Sequence, residues 1–264
     1  MASSLVLITG ASSGIGAATA RRFGASGARI LLLARNKERL KEVTKTIRKA
    51  GGSATYYPID LADASAIAEL RARIEREAGT PDVLINNAGA GRWLSVVETA
   101  AEEALAMIQV PYLAAFNVTR AFLPKMIARR GGAIACVTSP ASYLVWSSAG
   151  AYTAARHALL GFTESLRADL KGTGISVTLV VLGMVESPYW EHNPGSREHV
   201  PVMNPMIARP LTPEEAAEAI FAGVEDRKRT VVRPAIFRAL FLLNAVAPRL
   251  IANRLRQGVP KRSS

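Results

Sequence analysis

Short apolar runs and longer amphipathic stretches alternate along this chain. The runs are Leu5–Ile8, Ile30–Leu33, Ala54–Pro58, Val83–Ile85, Ala133–Thr138 and Ser176–Leu182. They lack the polar alternation of a half-exposed sheet, so they predict strands buried on both faces. Between them, helical patterns run over Ile15–Ala25, Lys37–Lys49, Ala64–Glu77, Ala101–Arg129 and Ala151–Leu170. Such alternation predicts a doubly wound α/β fold, a parallel sheet in three α/β/α layers. A ligand is then expected outside the carboxyl ends of the strands.

Two segments break the rhythm. Residues 183–211 carry Pro188, Pro194, Pro201, Pro205 and Pro210 among Met184, Tyr189, Trp190, Met203 and Met206. A long loop with apolar side chains predicts a lid, with Tyr189 and Trp190 as candidate walls of a substrate pocket. From Pro234 to Val246 the chain is apolar nearly all round, and after Pro248 residues 249–256 form a basic amphipathic segment. The division predicted is a principal domain, residues 1–232, and a C-terminal helical extension, residues 233–264. The apolar run is too short to span a bilayer, which needs about 20 residues. It suits a helix packed over the pocket or against another subunit, or peripheral membrane contact through residues 233–256.

Composition narrows the function classes. Of 264 residues, 49% are hydrophobic, enough for a sizeable core, so general disorder is excluded. The net charge of +12 is uneven: ten Lys/Arg stand against two acids from Glu225 to Ser264, but 23 against 19 in the preceding 224 residues. The basic character belongs to the tail, where it interleaves with apolar residues, so no nucleic-acid groove is expected. Cys136 is the sole cysteine, and His157, His192 and His199 are the only histidines. A disulfide framework is excluded, and no metal centre is expected. Met1–Ser4 lacks a basic leader start, so a reducing, cytoplasmic setting is expected, with the tail as a peripheral membrane element.

Thr9-Gly10-Ala11-Ser12-Ser13-Gly14-Ile15-Gly16 follows the first strand and opens the first helix. Gly10 lets the strand turn tightly, Gly14 lets backbone N–H groups approach a pyrophosphate, and Gly16 allows close helix–strand packing. Asp60-Leu61, Asn86-Asn87-Ala88-Gly89, Ser139 thirteen residues before Tyr152, and Leu182-Gly183-Met184-Val185-Glu186-Ser187 follow in order. Over roughly residues 3 to 232, this series resembles the motifs of the short-chain dehydrogenase/reductase family. The resemblance implies a Rossmann-like oxidoreductase. It implies that Ser12, Ser13, Ile15 and the three glycines, with Asp60, Leu61, Asn87, Ala88, Gly89, Gly183, Val185 and Ser187, hold a nicotinamide dinucleotide. Tyr152 is then the acid/base and Ser139 orients the substrate oxygen. A homodimer or homotetramer through the helices 101–129 and 151–170 is implied as well. Trp93, just past the Asn-Asn-Ala-Gly stretch, stands where a pocket wall is expected.

Arg35 follows Ala34 at the end of the second strand, where an acid would bind a ribose 2′-hydroxyl. A fork-shaped cation without that acid predicts NADP(H). The Leu182–Ser187 stretch departs from the family pattern with Leu182 for proline and Ser187 for threonine, and two further positions depart where the family's proton path runs. Tyr152-Thr153-Ala154-Ala155-Arg156 has arginine in place of the family's lysine. Four residues apart on a helix, the two side chains share a face. A phenol titrates near ~10, and a neighbouring cation favours its ionised form. Arg156 keeps that cation and a hydrogen-bonding group for the nicotinamide ribose, but it does not readily pass a proton. Pro111 stands where the family's catalytic asparagine falls, and it has neither amide N–H nor polar side chain. The expected activity is hydride transfer between NADP(H) and a hydrophobic ketone or secondary alcohol. The alternative is an NADP(H)-binding protein with little turnover, docked to a membrane by its tail.

Overall fold

The six apolar runs become strands β1 (Leu5–Thr9), β2 (Arg29–Ala34), β3 (Ser53–Pro58), β4 (Val83–Asn86), β5 (Gly132–Thr138) and β6 (Ile175–Leu182) in the computed structural model, which describes residues 3–200 and 209–257. Thr230–Arg233 adds β7. The strands pair in parallel in the order β3-β2-β1-β4-β5-β6-β7. The chain therefore reverses its direction of winding between β1 and β4, and a crevice opens there at the strands' carboxyl ends.

Helices α1 (Gly14–Ala25), α2 (Lys37–Lys49), α3 (Ala64–Glu77), α4 (Ala101–Ile108), α5 (Ala114–Arg129), α6 (Gly150–Asp169), α7 (Tyr189–His192), α8 (Pro213–Glu225), α9 (Ile236–Val246) and α10 (Pro248–Gln257) lie among the described residues. Successive side chains of a strand point to opposite faces. Leu5 and Leu7 of β1 accordingly join a core with Ile74, Val118, Phe122 and Leu159 of α3, α5 and α6. Val6 and Ile8 join a second core with Phe23, Leu40, Ile47 and Ile220 of α1, α2 and α8. The result is the three-layer α/β/α, Rossmann-like architecture.

The pattern of apolar runs does not predict α8 or β7. α8 carries a different signal, a capping box: Thr212 Oγ1 accepts the Glu215 N–H at 3.1 Å and the Glu215 carboxylate accepts the Thr212 N–H at 2.9 Å. β7 has four residues, with only Val231 and Val232 buried between Thr230 and Arg233, too few for a period to show.

The helix expected over 101–129 is not continuous. Gln109–Leu113 forms a π-helical turn between α4 and α5, with Pro111 buried at its centre. Proline removes one amide donor and its ring crowds the carbonyl one turn back. Widening the turn relieves both, and the Ala114 N–H reaches back five residues to the Gln109 carbonyl.

Of the proline-rich segment, residues 183–200 and 209–211 are described, whereas Pro201, Met203, Pro205 and Met206 lie outside the described residues. Among the described residues, no helix is long and apolar enough to cross a membrane. One side of α9 packs on the sheet domain. Phe237 is buried in the core, and Phe241 stacks on Tyr143 with ring centroids 4.4 Å apart.

Candidate active site

The loop from β1 to α1 places Gly10 and Gly14 at φ values of 65° and 51°, a left-handed region that side chains disfavour. A Cβ on Gly16 would lie 2.2 Å from the Gly10 carbonyl oxygen and 2.7 Å from Asn87 Nδ2. Asn87 ties this loop to the end of β4. Its Nδ2 donates to the Thr9 carbonyl at 3.0 Å, and Thr9 Oγ1 accepts the N–H groups of Asn87 and Ala88, each at 3.0 Å. Asn86 serves the other side of the sheet, where its Nδ2 donates to Thr119 Oγ1 of α5 at 3.0 Å. Ser13, at the start of α1, makes no side-chain cap bond, and the first turn holds no acid. The helix start therefore offers backbone N–H groups and the positive end of its dipole to the crevice.

That crevice is a cavity of about 1000 Å³. Gly10, Ser12, Ser13, Gly14, Ile15 and Gly16 line it with Arg35, Asp60 and Leu61, as do Asn87, Ala88, Gly89, Gly183, Val185 and Ser187. Asn36 and Arg39 line it beside Arg35, and Asp60 accepts the Ala62 N–H at 3.0 Å. Ser139, Tyr152, Arg156, Trp93, Tyr189 and Trp190 line the rest. Every residue singled out in the sequence as catalytic, cofactor-binding or pocket-forming thus borders one space.

Within that space, Ser139 directly follows β5. Its Oγ accepts the Ala141 N–H at 3.0 Å, which leaves its own proton for another acceptor. Tyr152 and Arg156 sit one turn apart on α6, both buried. The guanidinium carbon of Arg156 lies 4.8 Å from the centroid of the Tyr152 ring. Its Nε is buried without a protein hydrogen-bond partner. Gly89 makes room for this cation, since a Cβ there would lie 3.0 Å from Arg156 Nη2. The Trp93 ring packs 5.4 Å from Tyr152 and 5.8 Å from Trp146, forming an apolar wall.

The lid is held on this wall by hydrogen bonds. Asn193 Oδ1 accepts the Gly91 N–H at 3.3 Å, Ser196 Oγ accepts the Trp93 N–H at 3.1 Å, and Arg92 Nε donates to the Pro194 carbonyl at 3.0 Å. The Tyr189 hydroxyl donates to the Gly91 carbonyl. Burial, and then the neighbouring Tyr152, push the Tyr189 phenol well above its ordinary pKa, so it stays a neutral donor.

The arrangement is a Rossmann-like cradle feeding a Ser–Tyr–cation trio, and comparison with known proteins identifies its kind. The short chain dehydrogenase profile matches residues 4–197. The chain belongs to the short-chain dehydrogenase/reductase family. It is an oxidoreductase by membership. It is 34% identical over 271 residues to dehydrogenase/reductase SDR family member 7B of Bos taurus, covering 96% of this chain and 82% of that protein. It is 33% identical over 246 residues to a fatty acyl-CoA reductase of Acinetobacter baylyi, covering 92% and 80%. A metagenomic short-chain oxidoreductase solved in complex with NADP superposes with a TM-score of 0.73 at 32% identity, covering 88% of this chain and 95% of that one.

The residues present fit a nicotinamide dinucleotide. The glycine loop is a cradle that added Cβ atoms would fill, and Arg156 Nε is a buried donor lacking an acceptor. Sequence reading missed Trp146, Asn193 and Ser196 at the site, while Phe237 and Leu240 of α9, from the run for which packing over the pocket was one expectation, line the cavity. Trp146 lies between Ser139 and Tyr152, where a tryptophan in a loop is a usable signal. Asn193 and Ser196 carry none, because their partners are about a hundred residues away.

Proposed function

We propose that this family member transfers hydride between NADP(H) and an apolar ketone or secondary alcohol. The observation that carries the reading is the meeting of Ser139, Tyr152 and a buried Arg156, its buried Nε without a partner, on a single cavity. The Gly10–Gly16 loop, Asp60, Leu61, Asn87, Ala88, Gly89, Gly183, Val185 and Ser187 would hold the cofactor. Arg35, beside Arg39 and Asn36, suits a 2′-phosphate, and the similar metagenomic oxidoreductase was solved with NADP. When bound, the nicotinamide supplies or accepts the hydride.

The chain's own side chains handle the proton. In the reducing direction Ser139 donates a hydrogen bond to the carbonyl oxygen and Tyr152 gives it a proton. Arg156 anchors the ribose hydroxyls and stabilises the phenolate that Tyr152 becomes. As an arginine it does not carry the proton onward, and Pro111 offers no side chain for that task. Tyr152 is therefore recharged through hydroxyl groups or water. Trp93, Trp146, Tyr189 and Trp190, with Phe237 and Leu240, make a wall suited to an apolar substrate, and the similarity to a fatty acyl-CoA reductase agrees with it. The half-open cluster of Tyr112, Phe116 and Phe162 on α5, α6 and the turn between α4 and α5 supports a homodimer or homotetramer through these helices. The principal domain, residues 1–232, would carry the reaction, and the extension, residues 233–264, would close the pocket.

The test is oxidation of NADPH, with NADH in parallel, on a panel of apolar ketones by the wild type and Tyr152→Phe. Turnover with NADPH should exceed that with NADH. The variant should lose about 100- to 10,000-fold in turnover while still binding NADPH. Unchanged turnover would remove Tyr152 from the chemistry. Binding without turnover, in this direction or with NADP+ and the matching alcohols, would favour the binding-protein reading that Arg156 and Pro111 suggest.

A further inference from the structure

Helix α9 has two apolar faces, and among the described residues only one of them is covered. Phe237, Leu240, Phe241 and Asn244 point inward at helical spacing. Phe237 and Leu240 line the cavity, Phe241 stacks on Tyr143, and Asn244 Nδ2 donates to the Tyr143 carbonyl at 3.0 Å. The opposite stripe consists of Ala239, Leu242, Leu243 and Val246, with Leu242 72%, Leu243 54% and Val246 87% exposed. Leu250, in the first turn of α10, is 68% exposed. A surface helix of a globular protein ordinarily turns charged and polar residues outward. This stripe has none, although the exposed Arg238 and Arg249 adjoin it.

The charge around the stripe is of one sign. α9 and α10 carry Arg238, Arg249, Arg254 and Arg256 and no Asp or Glu. Two copies packed face to face would bring these cations together without a carboxylate between them. A neutral apolar partner would leave them unused. A surface that is apolar beneath and negative above satisfies both features, and that is the interface of an anionic membrane. Neither α9 nor α10 is long enough to cross a bilayer, so the pair would lie along its plane.

We propose that α9 and α10 dock this protein on anionic phospholipid bilayers. Leu242, Leu243, Val246 and Leu250 enter the acyl boundary, and Arg238 and Arg249 meet the headgroups. Because the inner face of α9 lines the cavity, docking sets that wall against the lipid. Loading of an apolar substrate from the bilayer rests on the proposed reaction; the docking itself does not.

The test is co-sedimentation of the full chain with vesicles of phosphatidylcholine alone or mixed with phosphatidylglycerol. Binding to the anionic vesicles should be at least about tenfold stronger and should weaken with salt. The double variant Leu242→Ser with Val246→Ser should abolish it. Arg238→Gln and Arg249→Gln should each weaken it about fivefold. NADPH binding and the melting temperature, unchanged in all variants, show that each is folded. No sedimentation, or equal sedimentation with both vesicle types, overturns the proposal. So does a wild-type oligomer in light scattering that the Leu242→Ser, Val246→Ser variant dissociates, since a second copy would then cover the face. Vesicle binding is read without turnover, so its failure is distinct from failure of the oxidoreductase reading.

Discussion

Gly16 and Gly89 both border the cavity, yet a methyl group added to each would meet different matter. At Gly16 it would strike the backbone carbonyl of Gly10 at 2.2 Å, and at Gly89 it would press on the tip of the Arg156 side chain at 3.0 Å. The end of the cavity built by β1 and α1 is made of backbone held by a strand and a helix, which cannot retreat. The end built around β4, β5 and α6 is made of side chains that can shift by a few tenths of an ångström. Arg156, where the sequence resemblance leads to an expected lysine, stands at the side-chain end.

The strongest probe of that difference is Gly16→Ala. Overpacking usually costs about 1–3 kcal/mol, and here no flexible group can move, so a loss near the upper end is expected. NADPH affinity should fall about 100-fold or more. Denaturant unfolding and a fluorescence titration read the two effects, and a variant that binds like the wild type would dissolve the distinction. Next is Asn193→Ala, which leaves the buried Gly91 N–H without its acceptor at 3.3 Å. An unpaired buried donor costs about 1–3 kcal/mol. The effect should appear as a roughly tenfold higher KM for apolar ketones with the Kd for NADPH unchanged. A parallel rise in both constants would mean that the lid supports the cofactor end as well.

Gly89→Ala should be milder in stability, about 1 kcal/mol or less, because only the guanidinium must yield. Turnover should drop several-fold as Arg156 is pushed from its place against Tyr152, and steady-state kinetics would show it. The smallest effect is expected at the foot of the lid. The side chain of Arg209, then the backbone N–H of Thr212, hold the exposed Glu215 carboxylate at about 2, below its ordinary 4.5. A depressed folded pKa contributes stability above the unfolded value and loses it as pH falls from about 4.5 through about 2. The melting temperature of Glu215→Gln should therefore be less sensitive to pH across that acid window than that of the wild type.

Much of the frame and the site was legible because both are written in short-range periods. The six apolar runs match strands to within a residue or two, since a fully buried strand needs little beyond an unbroken apolar run, but the expected burial on both faces fails at β3, which lies at the edge of the sheet and exposes Ser53, Thr55 and Pro58. The glycine loop is a local backbone demand, and Tyr152 and Arg156 face the same way by the pitch of one helix. Pro111 was visible as a problem for a helix, but the π-helical turn that relieves it depends on α4, α5 and α6 packing together. The latch from Asn193 and Ser196 to residues 91–93 joins segments about a hundred positions apart, a meeting that the order of strands creates and no local pattern encodes. The same holds for α9: its apolar composition stood in the sequence, and only its packing decided which residues close the cavity and which face out. Periodicity states what each segment can bury. The tertiary structure decides what it is buried against, because that depends on every other segment at once.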